Sequence, residues 1–264
     1  QAPPSRRAVQ FLSDSGSRHT MSPIRTSLLA LSLLFTACAP VPQRAGIPTS
    51  WQGSPNFDER RPHLVVIHHT SDDSVDDAMR TLANPVRKVS AHYLIARDGA
   101  IIQLVDERAR AWHAGESKWG AATDINSASL GIELDNNGRE TFSDAQISAL
   151  LRLLTDIKER YGIPAANFVG HADVAPRRKT DPSRYFPWKA LADQGFGLWC
   201  DAPFPEPPPA FDAIAALRAL GYDTGNREAA IRAFNLHFLP DESPSRLDER
   251  GRALLYCLYQ KADR

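Results

Sequence analysis

Two imidazoles and one carboxylate set the chemistry open to this sequence. His171 begins the run HADVAPRRKTDPSRYFPW at 171–188, and Asp181 stands ten positions on, directly before Pro182. Pro176 and Pro182 each remove a backbone donor and restrict the residue before them, so the run is expected to be non-helical. Both groups can then meet one ion only if the chain folds back. A third ligand is expected at His68, which ends the apolar run Leu64-Val65-Val66-Ile67. Two histidines and a carboxylate, with a fourth position left to water, form a ligand set that catalytic zinc uses. The chemistry of such a centre is hydrolysis.

Several residues nearby have two readings. Lys179, two positions ahead of Asp181, suits the stabilisation of charge on a carbonyl oxygen. It is also the last of three consecutive basic residues, Arg177-Arg178-Lys179, and as such suits a solvated loop. Glu133 lies between Ile132 and Leu134, so strand alternation sends it to the opposite face. That face is either solvent or a cleft, and in a cleft Glu133 is placed for general acid–base work. His113, beside Trp112, is a fourth metal candidate. A hydrolytic zinc keeps one position open, so His113 reads instead as a substrate-groove residue. His69 points away from His68 and reads as a hydrogen-bonded or surface histidine. His92 and Tyr93 face opposite sides, and both suit core aromatics with satisfied polar tips.

Holding these groups in place takes a sheet. Residues 63–69 form a β-branched run of strand length, apolar enough to be buried on both faces. Residues 91–96 and 100–105 flank Arg97-Asp98-Gly99, a hairpin signal. Further strands are expected at 129–135 and at 167–170, the latter delivering His171. Residues 74–83 predict a helix with Ser74 as N-cap and Asp77 in the capping-box position, stopped by Asn84-Pro85. Residues 143–161 predict a longer one, with Ser143 and Gln146 as a capping box. Its apolar stripe is Ile147, Leu150, Leu151, Leu154 and Ile157, and Gly162 ends it. Strands interleaved with helices predict an α/β (α+β) domain over 61–198, with a central mixed β-sheet covered by helices.

The segments VVIH at 65–68, AHYLI at 91–95, AWHAG at 111–115, GIELDN at 131–136 and HADVAPRRKTDP at 171–182 follow one another in a fixed order. In that order they resemble the zinc N-acetylmuramoyl-L-alanine amidases, which are related to phage amidase-lysozymes and peptidoglycan recognition proteins. The resemblance covers roughly residues 60 to 264 and runs to outer-membrane lipoprotein members of the group. It implies Zn2+ on His68, His171 and Asp181, Glu133 as proton shuttle and Lys179 at the charged catalytic position. It also implies that His92 or Tyr93 borders the site; we take Tyr93 as the candidate. The substrate it implies is peptidoglycan or a muropeptide, cut at the amide between the lactyl group of N-acetylmuramic acid and L-alanine. Some members lose ligands and only bind peptidoglycan, but here the three ligands and both acid–base candidates are present. A zinc peptidase cutting within the stem peptide is the other hydrolytic reading, although the helical H-E-x-x-H arrangement is missing.

Length and charge narrow the field. At 264 residues the chain suits one mid-sized domain and a small one, and 42% hydrophobic residues argue against disorder. Lys+Arg and Asp+Glu both total 31, far from the basic balance of a nucleic-acid binder.

The N-terminal 1–37 reads as an upstream segment and an export signal. Residues 1–20 precede a credible start at Met21, Arg25 is the positive region, and 28–35 is an apolar core too short to span a bilayer. Cys38, after Thr36-Ala37, is then the expected lipidation site, with a plain secretory signal as the alternative. Lipid on Cys38 would anchor the chain at the periplasmic face of the outer membrane in the cell envelope. Residues 38–60, rich in proline and small residues, suit an extended tether.

After 198 the composition changes. Residues 199–210 contain Pro203, Pro205, Pro207, Pro208 and Pro209 and suit a stiff linker. Over 211–264, amphipathic runs at 211–220, 226–238 and 247–259 predict a small C-terminal three-helix bundle. It resembles peptidoglycan-binding modules, and a bracing extension is the alternative. Cys200 and Cys257 suit either a disulfide in an oxidising compartment or two buried thiols.

Overall fold

Strand β1 (Leu64–His69) forms because Val65, Val66 and Ile67 are β-branched and every residue up to His68 is buried. It lies inside a five-stranded sheet with β2 (Tyr93–Ile95), β3 (Ile101–Gln103), β4 (Ser129–Leu134) and β5 (Phe168–Gly170). The order is β3-β2-β4-β1-β5. β1 pairs in parallel with β4 and β5, β2 pairs in parallel with β4, and only β2–β3 is antiparallel, so the sheet is mixed as expected. The computed structural model describes residues 60–240 and 246–262. The export signal, Cys38 and the tether up to residue 59 lie outside the described residues.

Helices α1 (Val75–Leu82), α2 (Ile125–Ala128), α3 (Asp144–Tyr161), α4 (His171–Val174) and α5 (Trp188–Ala192) connect and cover the strands. Alternation divides the sheet into two unlike faces. Val65, Ile67, Tyr93, Ile95, Leu130, Ile132 and Leu134 face α3 and pack with Ala149, Leu150, Leu153, Leu154 and Ile157. Leu64, Val66 and Val169 face the other way, against Ala114, Ile125 and Val174. His68 shares that second face with Leu64 and Val66, as Glu133 does with Ser129 and Gly131.

Two local expectations change. Ser143 caps α3 by accepting from Gln146 N, but the Gln146 side chain does not return to the cap. It donates instead to Ile95 O at 2.9 Å and Asp135 O at 3.1 Å, two buried carbonyls at the ends of β2 and β4. Carbonyls shielded from water need a donor more than an exposed cap does. The run 171–188 was expected to be non-helical, yet it opens with the single turn α4. The prolines restrict only residues from 175 onward, and the first four residues precede them.

Beyond α5 come α6 (Ala213–Leu220), α7 (Arg227–Phe238) and α8 (Glu249–Ala262), the expected C-terminal helices. Asp212 and Asn226 cap α6 and α7, and Gly221 ends α6 in the left-handed conformation. Ala216, Leu217, Phe234, Leu254, Leu255 and Leu258 form their core, and Ala172 of α4 belongs to the same cluster. A disulfide joins Cys200 to Cys257. All described residues fall in one compact unit.

Candidate metal centre

His68, His171 and Asp181 converge as their types suggested. His68 Nδ1 lies 2.9 Å from His171 Nδ1 and 3.2 Å from Asp181 Oδ2, and His171 Nδ1 lies 3.0 Å from the same oxygen. Ligands of a tetrahedral zinc ion, at bonds of about 2.0–2.1 Å, stand roughly 3.3 Å apart, so the three atoms outline one face of such a site. The other ring nitrogens decide what the trio needs. His171 Nε2 lies 3.2 Å from Ala114 O, an oxygen that can only accept, so Nε2 carries the proton. With Nε2 so committed, Nδ1 is the nitrogen that faces Asp181 Oδ2 and His68 Nδ1, and a divalent cation among the three atoms would satisfy all of them at once.

A proton-ordered chain runs back from His68 along the sheet. His68 Nε2 is 3.1 Å from His113 Nδ1, and His113 Nε2 is 3.3 Å from Ser129 Oγ, which donates to Ile125 O. Only one assignment satisfies every link. Ser129 gives its proton to Ile125, so it accepts from His113 Nε2–H; His113 Nδ1 then accepts from His68 Nε2–H, leaving His68 Nδ1 free to ligate. His113 can lie there because β4 has Gly131 beneath it: a Cβ on that glycine would stand 2.3 Å from His113 Cγ. Asn126 Oδ1 fixes the loop by accepting from His113 N and Ala114 N. Burial, then the neighbouring His68 and His92, holds the His113 imidazole well below its ordinary pKa. His113 is thus a neutral support behind a ligand as well as a residue of the groove wall.

The charges of the site oppose one another. Burial, followed by the proximity of His171, pushes His68 down to about 4. Burial alone would raise the Asp181 carboxyl, but the adjoining His171 and His68 imidazoles outweigh it and hold the group far below the usual range. Glu133 sits opposite His68 in the β1–β4 register, with Oε1 4.0 Å from His68 Nδ1. Burial and then Asp181 push Glu133 up to about 8, against the pull of Lys179. Its Oε2 is buried with no hydrogen-bond partner. Lys179 lines the same cleft as Glu133, His171 and Asp181.

Tyr93 is not in this constellation. It pairs with Ile132, so it points to the α3 face, where its hydroxyl donates to Glu107 Oε1 at 2.6 Å. His92 is the neighbour on the site side; its Nδ1 accepts from Gly131 N at 3.0 Å. Strand parity separates the two residues, and the pairing of β2 with β4 decides which is which. His69 accepts from Ser183 N, as a hydrogen-bonded histidine next to the site.

Comparison with known proteins gives the chain a family. The N-acetylmuramoyl-L-alanine amidase family Amidase_2 matches residues 58–184. N-acetylmuramoyl-L-alanine amidase AmiD of Escherichia coli K12 is 35% identical over 271 positions, covering 89% of this chain and 96% of that protein. This chain belongs to the N-acetylmuramoyl-L-alanine amidases. A solved structure of E. coli AmiD, in complex with the substrate anhydro-N-acetylmuramic acid-L-Ala-D-gamma-Glu-L-Lys, superposes with TM-score 0.69 and covers 83% of this chain and 96% of that one. Pseudomonas aeruginosa AmpDh3 in complex with anhydromuramic pentapeptide gives 0.70 at 32% identity, covering 80% and 96%.

In this amidase the cleft continues from the ligands past Val89, Trp112 and Lys179 to Lys88, Arg110 and Arg178. Its rim is therefore basic, with the Trp112 indole half exposed. Ser129, Gly131 and Asn126 escaped the sequence reading. The first two were open to it, since S-L-G-I-E alternates and places both on the face of Glu133. Asn126 gave no such signal.

Proposed function

We propose that this amidase works with zinc held by His68, His171 and Asp181, and that it cleaves the N-acetylmuramoyl–L-alanine amide of muropeptides in cell-wall turnover or recycling. The observation carrying the proposal is the convergence of His68 Nδ1, His171 Nδ1 and Asp181 Oδ2 within 3.2 Å of one another, with His171 Nε2 committed to Ala114. When bound there, zinc acidifies water and acts as a Lewis acid towards a carbonyl. Glu133 is the residue proposed to take the proton from the attacking water at its unpartnered Oε2 and hand it to the leaving amine. A nearby cation lowers its raised pKa towards neutrality, where a carboxylate both accepts and returns a proton. Lys179 is proposed to hold its ammonium against the oxygen on which charge develops. AmiD and AmpDh3 are in complex with anhydromuramyl peptides in their solved structures, which supports the same substrate class here. Carboxylates of the stem peptide suit the basic rim, and the exposed indole of Trp112 offers an apolar face to a sugar ring.

Three variants separate the roles. Asp181→Ala is expected to lose both zinc and activity. Lys179→Ala should keep zinc while kcat falls about 10²–10³-fold, and unchanged turnover would remove Lys179 from the mechanism. Glu133→Gln should lower kcat about 10²–10⁴-fold; near-normal rates would assign the proton to another group. Product masses distinguish the readings: a free muramyl sugar and an intact peptide mean amidase, and cuts within the peptide mean peptidase. Activity undiminished after exhaustive chelation would end the zinc proposal, and absence of any cleavage would leave a binding-only protein.

We further propose that Cys38 is lipidated, that the chain is an outer-membrane lipoprotein facing the periplasm, and that 211–264 contributes to peptidoglycan binding. Cys38→Ala should then release the protein from membranes into the soluble fraction; continued membrane retention would refute the anchor.

A further inference from the structure

A second cluster of buried polar groups lies behind the turn that carries His171. Asp173 is 1% exposed, and its carboxylate has three partners. Tyr222 Oη donates to Oδ1 at 2.7 Å, Gly170 N donates to Oδ2 at 2.7 Å, and His237 Nδ1 lies 2.8 Å from Oδ2. An ionised carboxylate only accepts, so His237 Nδ1 is a donor. Tyr222 follows α6 and His237 belongs to α7, so two of the three partners come from the C-terminal helices.

The four residues of α4 therefore face two ways. His171 turns to the other metal ligands, while Ala172 packs in the core of α6–α8 and Asp173 bonds to them. Ala172 N also donates to Asp181 O at 2.7 Å, which ties the turn to the third ligand. The His237 ring stacks on Trp188 with centroids 3.8 Å apart, and Trp188 opens the helix that follows the Asp181 segment. There is little slack at the start of the turn. A Cβ on Gly170 would meet Pro182 Cδ at 2.8 Å and Trp188 at 3.1 Å.

We propose that Tyr222 and His237 are positioning residues for the metal centre: through Asp173 they fix the α4 turn and so hold His171 in register with Asp181. The C-terminal helices then serve the site directly, whatever they bind in the cell wall. This inference rests on the metal reading above.

The test uses the full chain, with zinc affinity from competition against a chromophoric chelator and the visible spectrum of the Co2+ form. Circular dichroism first establishes that each variant is folded at the working temperature. Tyr222→Phe and His237→Leu are expected to weaken zinc binding about 10–100-fold, the usual range for partners standing behind a ligand, and to shift the cobalt bands. His237→Asn, which returns an amide donor near the position of Nδ1, should recover most of the affinity. Where His237→Leu does not fold, Tyr222→Phe decides, because it removes one oxygen and keeps the ring. Parental zinc affinity and cobalt spectra in the folded variants would overturn the proposal and leave the cluster as packing alone. Failure of the unaltered protein to bind zinc would instead overturn the metal reading.

Discussion

His113 makes no contact with the proposed ion, yet it settles which nitrogen of His68 faces it. A neutral imidazole has one proton, and the chain His68–His113–Ser129–Ile125 leaves that proton on Nε2 of His68. Without the Nδ1 acceptor of His113, a buried N–H loses its partner and the other tautomer becomes competitive. His113→Ala should weaken zinc binding about 10–100-fold, as read by chelator competition. His113→Asn, which keeps an acceptor near the Nδ1 position, should lose less. Gly131→Ala is expected to act like His113→Ala, because its methyl group would occupy the space of the ring. Parental affinity in Gly131→Ala would show that His113 need not lie where it does.

At the scale of elements, each strand divides its work by parity. One face of the sheet builds a core against α3, and the other builds the site. Tyr93 belongs to the first face and takes part in a clamp there. Glu107 accepts from Tyr93 and Tyr161 and pairs with Arg160, joining β2 to the end of α3. Burial would raise Glu107, but the hydrogen bonds from Arg160, Tyr93 and Tyr161 together outweigh it and hold the carboxyl at about 2. A depressed carboxyl contributes stability that is complete above its ordinary value near 4.5 and is lost as pH falls from there through about 2. Glu107→Gln should cost about 2 kcal/mol at neutral pH, and its stability should fall less steeply than the parent's across that window. Denaturant midpoints measured from pH 5 to pH 2 give the comparison; parallel curves would refute it. The Asp181 contribution is common to both proteins and drops out of the difference.

The same division explains what could be read in advance. Strand positions and the α3 stripe depend on local pattern and were legible, and so were the types of His68, His171 and Asp181 as candidate ligands, which the fold brings together. That His92 and Tyr93 face apart was legible too. Which of them meets the site depends on Tyr93 pairing with Ile132, a long-range register that no local pattern fixes. Gln146 misled because S-x-x-Q is a local signal and the buried carbonyls it serves are 51 and 11 residues away. Asp173 gave no warning of its partners, which lie 49 and 64 positions further along.

For the whole molecule, the sequence left a binding module and a bracing extension both open behind a proline-rich linker, and Ala172 and Asp173 place the α6–α8 helices against the domain that carries the site. The bond between Cys200 and Cys257 closes a loop of 57 residues and secures α8 to the linker, where Lys261 Nζ also donates to Trp199 O. Closing a loop of that length removes unfolded-state entropy equivalent to about 4 kcal/mol. Cys257→Ser, or full reduction, should therefore lower the melting temperature by roughly 10 °C for a protein of this size. The bridge acts mainly on the unfolded chain, whereas Tyr222 and His237 act on the folded site. A reduced but still folded protein should keep its zinc affinity, unlike Tyr222→Phe. Loss of zinc on reduction, at a temperature where circular dichroism shows native helix, would mean that the bridge itself holds the bundle against α4.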